Sequence, residues 1–247
     1  MFIDDLSLLN GHDIPFPEGQ LVIHPPRMKD ISYITEKMYF SGIDMLNFTK
    51  NKLGESDRTS LANQYDFDIF MSIMIEGKSR PEIQERITAA MLMLEIFFPG
   101  YDISLQPNAI VLQKDKETPK TINKFNFSEF QQIMREICVL NKTNIDNPNY
   151  NPGGPKAREL AEKFAQRRAK LNNGKEEKMS IYSRYCSILA VALQLPLADI
   201  MEYTVYQIDD QIERLQLREN WQAYFSAKVA GATGMDEAEN WMKDIHS

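Results

Sequence analysis

The sequence predicts a mainly α protein: a multi-helix body with one or two small β-hairpins, followed by a long C-terminal amphipathic helix. Three observations predict this class. Apolar residues recur at helical spacing in several stretches that Pro and Gly separate. Alternation of apolar and polar residues is confined to short runs, near the N-terminus and at residues 102–113. The last third of the chain contains an apolar and aromatic stretch long enough for one extended helix.

The N-terminal segment contains two short extended pieces between Gly and Pro residues, the second at residues 20–24, and this pattern predicts a hairpin or arm. Pro26 suits the first turn of a helix, because its fixed φ matches helical geometry where no N–H bond is needed. Apolar residues at helical spacing extend that helix through residue 40. Two further helices are predicted at residues 43–53 and 65–75, with a polar turn at 54–58.

The most regular helical pattern spans residues 81–98, where a proline fits the first turn and the apolar residues fall on one side of the cylinder. The alternation at residues 102–113 predicts a short β-hairpin, and the polar run at 114–120 predicts a turn. The next helix is predicted to start at Ser128, which forms a capping box with Gln131, and to end near residue 140.

Composition divides the chain into three parts. Residues 1–150 form the helical body with its small β-hairpins. Residues 151–178 combine a Pro/Gly linker with a charged, partly mobile helix that has few apolar residues to bury. Residues 179–247 contain C-terminal helices that pack on the body. Within this last part, helices are predicted at 180–193 and 199–229, and a short helix in the acidic, aromatic tail at 236–245.

The composition restricts the class of function. The formal net charge is −7 and the isoelectric point is about 5.1, which disfavours a dedicated nucleic-acid binder because a phosphate footprint makes a domain basic. Cys138 and Cys186 lie in apolar helical contexts and are predicted to be small buried side chains in a reducing compartment. The sequence shows neither a secretory signal nor an apolar run long enough to span a bilayer, so the expected location is the cytoplasm.

No constellation of residues in the sequence demands enzyme chemistry. Asp209, Asp210 and Glu213 lie within one helical turn, but the second carboxylate helix of a di-metal site is missing, and the pattern is typical of a solvated helix face. The three histidines are scattered, and none has a Cys or His at metal-ligand spacing. A Gly-rich phosphate loop and a Gly-x-Ser-x-Gly motif are also missing. We therefore expect a non-enzymatic protein with no cofactor and no metal.

A net-basic stretch at residues 156–178 has two interpretations. One is contact with nucleic acid through its Lys and Arg side chains. Its interleaved acidic residues and its single aromatic, Phe164, favour instead a charged linker or a helix that docks on a protein partner. The thirteen methionines of the chain also favour an adaptable apolar surface, because thioether side chains repack around different partners.

Five segments, spread over most of the chain, carry a family resemblance. Two are Leu-Val-Ile-His-Pro-Pro-Arg-Met-Lys-Asp-Ile at residues 21–31 and Ile-Asn-Lys-Phe-Asn-Phe-Ser-Glu-Phe-Gln-Gln-Ile at 122–133. The others are Asn-Pro-Gly-Gly-Pro-Lys-Ala-Arg-Glu-Leu-Ala-Glu-Lys at 151–163, Asp-Ile-Met-Glu-Tyr-Thr-Val-Tyr-Gln-Ile at 199–208 and Asn-Trp-Met-Lys-Asp-Ile at 240–245. Together they resemble the tail-assembly chaperone-like tail-region proteins of Gram-positive phages and prophages.

The resemblance implies a non-enzymatic protein that, in the cytoplasm of the bacterial host, shields apolar surface of the tape-measure protein while tail-tube subunits polymerise. The implied partners are the tape-measure and tail-tube proteins and, as a further option, other copies of this chain, with no membrane. A structural neck or tail component of the virion is the alternative, and a regulator that contacts nucleic acid through residues 156–178 is a third. The same segments also fit an ordinary helical domain.

A chaperone of this kind needs exposed apolar groups on mobile elements. The long C-terminal helix and the tail contain suitable aromatic and apolar residues. Trp241 is our hypothetical anchor, because an aromatic side chain near a chain end has little else to pack on. The partner-binding residues predicted from the sequence are Tyr206, Trp221, Tyr224, Trp241 and Ile245.

Overall fold

The computed structural model of the chain describes residues 3–16, 21–54, 59–77, 80–115, 117–140, 180–234 and 237–243, together with Ile245. The chain separates into two compact units. The first comprises Met1–Asn141 and Met201–Gln207, and the second comprises Lys142–Ile200 and Ile208–Ser247. The linker and charged helix predicted at 151–178 lie outside the described residues, so the three-part division of the chain stays a prediction.

The helices of the first unit begin with a short one that the sequence patterns did not reveal. Asp4 caps this helix, because its carboxylate accepts a hydrogen bond from the N–H of Ser7 at 3.3 Å. The described helices of this unit are α1 (Asp5–Leu9), α2 (Met28–Ile34), α3 (Glu36–Leu46), α4 (Asp66–Glu76), α5 (Pro81–Phe97) and α6 (Phe127–Ile137), with a 3₁₀ turn at Lys50–Lys52.

The described strands of the first unit form two small antiparallel sheets. β1 (Ile14–Phe16) pairs with β2 (Leu21–Ile23), which confirms the N-terminal hairpin. The second sheet has three strands in chain order, β3 (Asp102–Gln106), β4 (Ala109–Gln113) and β5 (Lys120–Ile122). β3 and β4 form the hairpin predicted from the alternation, whereas β5 begins where the sequence predicted the end of a polar turn.

The predicted mainly α class is wrong, because the body is a mixed α/β structure. The body differs from the prediction in the third strand, β5, which extends the predicted hairpin to a three-stranded sheet. Ile122 is fully buried and pairs with Ile110, while Lys120 and Thr121 are half-buried. A strand with one buried apolar residue shows too little alternation for a sequence pattern to distinguish it from a turn. The long C-terminal helix is present.

Several predicted helix boundaries of the first unit are wrong. The helix predicted at 43–53 is not a separate element, because residues 43–46 end α3 and only the 3₁₀ turn at Lys50–Lys52 follows. Thr35 has a φ of 76° and divides the helix predicted through residue 40. Its hydroxyl accepts a hydrogen bond from the N–H of Met38 at 3.4 Å, so it starts α3 as a cap. α6 starts at Phe127 rather than Ser128, and Gln131 is buried instead of completing a capping box.

Phenylalanine side chains form the core of the first unit. Phe130 of α6 lies among them, and its ring stacks at 6.1 Å on Phe98, just after α5. Phe127 contacts Phe67 of α4 with the ring centroids 5.1 Å apart. The rings within 6.2 Å of Phe130 belong to Phe16, Phe97, Phe98 and Phe127. The cluster therefore joins β1, α4, α5 and α6 in one core.

A segment from far along the chain completes the first unit. We call this segment, Met201–Gln207, the clasp. Its main chain lies beside residues 26–29, with an isolated antiparallel β-bridge between Arg27 and Thr204. Three backbone hydrogen bonds hold it: Val205 N–H to Pro26 O at 3.1 Å, Met28 N–H to Tyr203 O at 3.0 Å and Lys29 N–H to Met201 O at 2.9 Å.

Side chains reinforce the clasp. The Glu202 carboxylate accepts hydrogen bonds from Lys29 at 2.7 Å and from Arg27 at 2.9 Å. These hydrogen bonds, from Lys29 first and Arg27 second, lower the pKa of the Glu202 carboxyl. Gln207 donates from its side-chain amide to the carbonyl oxygen of Leu9 at 2.7 Å. The N-terminal residues and the clasp are thereby tied by both main-chain and side-chain bonds.

In the second unit, α7 (Ile181–Leu193) and α8 (Leu197–Ile200) contact each other. Ser180 caps α7 by accepting a hydrogen bond from the N–H of Ser183 at 3.0 Å. Gln194, with a φ of 56°, ends this helix in the left-handed conformation. The helix predicted at 180–193 is therefore confirmed.

The long helix α9 (Val205–Val229) starts six residues later than predicted, because α8 and the clasp interrupt it. Thr204 and Gln207 form the capping box of α9. The Thr204 hydroxyl accepts from the Gln207 N–H at 3.2 Å, and the Gln207 side chain accepts from the Thr204 N–H at 2.8 Å. α9 thus begins in the clasp and continues, from Ile208, as part of the second unit.

Candidate protein-binding surface

α9 changes from a buried to an exposed helix along its length. Ile208 and Ile212, in its first half, are buried. In its second half Phe225 is 48% exposed and Val229 is 87% exposed. Hydration of large apolar side chains is unfavourable, so a contiguous apolar surface on a helix indicates a place where another molecule packs.

Three aromatic rings cluster on the second half of α9, where Phe225 is exposed and Trp221 and Tyr224 are half-buried. The centroid of Trp221 lies 4.8 Å from Phe225, and Tyr224 lies 5.8 Å from Phe225. Trp221, Phe225 and Val229 follow one another at four-residue spacing and therefore share one side of the helix. We call Trp221, Tyr224, Phe225 and Val229 the aromatic stripe. It brings together two residues predicted from the sequence, Trp221 and Tyr224, and adds two that the same spacing could have identified.

Basic side chains border the stripe. The ammonium group of Lys228 lies 5.4 Å from the ring centroid of Tyr224. One turn before Trp221, Arg218 forms an ion pair with Glu219 at 3.9 Å. Glu219 balances the charge of Arg218, so Lys228 is the cation that favours a partner with an acidic residue beside an apolar centre.

Arg214 of α9 holds the C-terminal tail. Its guanidinium donates hydrogen bonds to the main-chain carbonyl oxygens of Trp241 at 3.3 Å and Lys243 at 2.5 Å. Residues 237–243 are irregular or in turns, so the helix predicted in the tail is wrong over this stretch. The Asn240 side chain accepts from the N–H of Met242 at 2.9 Å, which is a turn rather than a helical bond.

The tail exposes apolar side chains while its backbone is held. Trp241 is 38% exposed and Met242 is 68% exposed, whereas Ile245 is half-buried. Glu239 pairs with Lys243 at 2.6 Å within the tail itself. The predicted anchor, Trp241, is therefore accessible, and its role as a partner contact stays a prediction.

Tyr206 belongs to a different unit from the other predicted binding residues. It belongs to the clasp and is 8% exposed, whereas Trp221, Tyr224, Trp241 and Ile245 belong to the second unit. Burial keeps the Tyr206 side chain from a partner unless the clasp moves.

α7 has a further exposed apolar pair that was not predicted from the sequence. Ile188 is 42% exposed and Val191 is 79% exposed, and their three-residue spacing puts them on one side of the helix. Tyr185 and Leu189 occupy the buried side. The outward apolar pair belongs to the second unit, as the aromatic stripe does.

A cavity with a volume of about 300 Å³ lies beside α4 in the first unit. Its lining mixes aliphatic side chains with Gln64, Glu76 and Arg80. Across the described ranges, no group of three or more His, Cys, Asp or Glu side chains is placed to hold a metal ion. None of the helices in the described part of the chain is both long and apolar enough to cross a bilayer.

Both cysteines are buried free thiols, as predicted. Burial raises the pKa of Cys138 to about 12, although a hydrogen bond with Tyr39 opposes the shift. Burial also raises the pKa of Cys186. Because the thiolate is the reactive form, neither side chain is a nucleophile near neutral pH.

A family model described as the YomV second domain matches residues 174–246. The matched segment is less than a third of the chain, and it contains the clasp, the aromatic stripe and the tail. No curated protein and no solved structure matches the chain. The family name is associated with phages, so the match supports a phage-related protein. It does not specify a tail-assembly chaperone.

Proposed function

We propose that this chain is a non-enzymatic phage tail-assembly chaperone. In the host cytoplasm it would shield apolar surface of the tape-measure protein while tail-tube subunits polymerise around that protein. The observation that carries the proposal is the aromatic stripe on the exposed half of α9, which lies inside the segment that matches a phage-associated family.

The stripe suits a helical partner. Side chains at four-residue spacing form a ridge along the helix, and the apolar face of a partner helix can pack against such a ridge. Trp and Tyr contribute more than most residues to binding at protein interfaces, because they bury a large area with few rotatable bonds. Phe225 and Val229 extend the ridge toward the end of α9.

The alternative is a structural neck or tail component of the virion, in which the stripe contacts neighbouring subunits. The two functions differ in where the protein is found after assembly. A chaperone leaves the particle, whereas a structural component remains in it.

The proposal is tested by co-purifying the tagged full-length chain with the tape-measure and tail-tube proteins encoded near its gene. We expect Phe225→Asp and Val229→Asp to reduce recovery of the tape-measure protein by about tenfold or more, because a charge opposes burial of the stripe. Tyr33→Asp is the matched control, since Tyr33 is 88% exposed in the first unit. Point variants are required because truncation before residue 201 removes the clasp from the first unit.

Two results would contradict the proposal. Undiminished recovery with both α9 variants would show that the stripe does not bind the tape-measure protein. Stoichiometric amounts of the chain in purified virions would support the structural component instead.

A further inference from the structure

A second exposed aromatic surface lies in the first unit, where the turn before α6 meets the start of α4. The ammonium group of Lys124 lies 5.0 Å from the ring centroid of Tyr65 and 5.2 Å from that of Phe125. Tyr65 is 56% exposed and Phe125 is 81% exposed. We call these three residues the cation–aromatic patch.

Hydrogen bonds fix the turn that carries Phe125. The Asn123 side chain accepts from the N–H of Phe125 at 3.0 Å, and the Asn126 side chain accepts from the N–H of Asn123 at 2.7 Å. Asn126 also donates to the carbonyl oxygen of Thr121 at 3.1 Å. A side chain on a backbone that is already fixed loses little conformational freedom when it binds a partner.

The core behind the patch sets the spacing of its two rings. Phe67 and Phe127 each lie two residues after an aromatic residue of the patch, and their rings contact each other at 5.1 Å. The buried pair therefore anchors the two chain segments that carry the exposed pair, Tyr65 and Phe125. Such a rigid aromatic pair around a cation is typical of a protein-binding surface.

The charge of Lys124 indicates what the patch binds. Lys124 contacts two ring faces, and it pairs with no carboxylate among the residues that the structure describes. Its ammonium group remains available to an incoming carboxylate, and the flanking rings can cover apolar side chains. The complementary ligand is a segment with an acidic residue close to exposed apolar residues.

The C-terminal tail of this chain has that chemistry. Glu237 is exposed and has no cationic partner within the described part of the chain. Trp241 and Met242, four and five residues later, are exposed by 38% and 68%. Arg214 holds the tail through carbonyl oxygens, which leaves these side chains available.

We propose that the cation–aromatic patch of one copy binds the C-terminal tail of a second copy. Lys124 would pair with Glu237, and the rings of Tyr65 and Phe125 would cover Trp241 and Met242. The contact joins two different surfaces, so its repetition produces a closed ring or an open chain of copies. This inference is independent of the proposed function, because it requires only copies of this chain.

Sedimentation velocity of the purified full-length protein over a concentration series tests the contact. We expect the mass to rise with concentration for the natural sequence, and Phe125→Ser and Trp241→Ser each to remain monomeric. An equimolar mixture of these two variants should form dimers and nothing larger, because each variant supplies one surface that the other lacks. Tyr33→Ser, at a comparably exposed tyrosine, should associate like the natural sequence.

Charge reversal separates the ion pair from the apolar contact. We expect Lys124→Glu and Glu237→Lys each to weaken association by about tenfold, and the double variant to recover it. Thermal unfolding establishes that each variant is folded. A natural sequence that stays monomeric at every concentration would overturn the proposal. So would a Phe125→Ser variant that assembles normally, or a mixture of the two serine variants without dimers.

Discussion

Gly42 of α3 lies so close to Ala89 of α5 that a Cβ atom on Gly42 would be 2.5 Å from the carbonyl oxygen of Ala89. The same Cβ would be 2.6 Å from Cγ of Met93. Both distances are shorter than van der Waals contact, so the two helices can approach only because residue 42 has no side chain.

Gly42→Ala should therefore lower the free energy of unfolding by about 1–3 kcal/mol, even though Ala favours a helix more than Gly does. Urea unfolding followed by circular dichroism measures the change. Gly77→Ala is the matched control, because its Cβ would meet the side-chain methyl groups of Ile87 and Ile83 at 3.0 and 3.1 Å rather than main-chain atoms. An equal loss in both variants would show that the contact with Ala89 is not the cause.

Gln131 connects α6 to the end of α3 through its buried amide. Its Nε2 donates to the carbonyl oxygens of Leu46 at 3.0 Å and Phe48 at 2.7 Å. Gln131→Met keeps a similar length but removes both donors, so we expect a loss of about 2–3 kcal/mol in the free energy of unfolding. Gln84→Met, at an exposed position of α5, should change it by less than about 0.5 kcal/mol. A neutral Gln131→Met variant would contradict this role of the amide.

Asp44 makes stability depend on pH. Burial acts to raise the pKa of its carboxyl, but the hydrogen bond and charge of Lys52 and the charge of Arg86 outweigh it and lower the pKa below the ordinary 3.8. A lowered pKa in the folded protein stabilises it above the unfolded pKa, and this stabilisation is lost as pH falls through the folded pKa. Asp44→Asn should cost about 0.5–1 kcal/mol at pH 7, and less at acidic pH. Chemical unfolding of the natural protein and the Asp44→Asn variant between pH 7 and pH 2.5 measures the difference in their free energies of unfolding. A difference that does not change with pH would contradict the prediction.

The two thiols should be unreactive while the protein is folded. Burial raises the pKa of Cys138 to about 12 and also raises that of Cys186, so both side chains are mainly in the unreactive thiol form at pH 8. Ellman's reagent should therefore detect almost no thiol in the native protein and both thiols in guanidinium chloride. Rapid reaction of one thiol without denaturant would show that its helix opens readily.

Elements with their own local signals were predictable. α5 has a proline in its first turn and a continuous apolar side, and its observed bounds, Pro81–Phe97, agree with the prediction within one residue. β3 and β4 likewise lie within the alternating run at residues 102–113 that predicted them. Trp221 and Tyr224 could be selected because aromatic residues on an otherwise polar helix are noticeable in sequence.

Features that depend on distant residues were not predictable. β5 exists because Ile122 pairs with Ile110, and α9 begins late because the clasp bonds to residues 26–29. In the sequence, Phe125 resembles an ordinary loop residue. It is recognisable as part of a binding surface only in the fold, which brings Tyr65 close to Lys124 and Phe125. A one-dimensional pattern contains no information about such pairs.

The position of the clasp in the chain determines the order in which the protein can fold during translation. Residues 3–16 and 21–54 leave the ribosome early, but the hydrogen-bond partners of Pro26, Met28 and Lys29 are synthesised only after Lys142–Ile200, which belongs to the other unit. Until then the nascent first unit has an unpaired edge near residue 27. If two chains exchange their Met201–Gln207 segments at this edge, the product is a domain-swapped dimer. The risk of this misassembly is greatest while residues 142–200 are being translated, before the chain's own clasp exists.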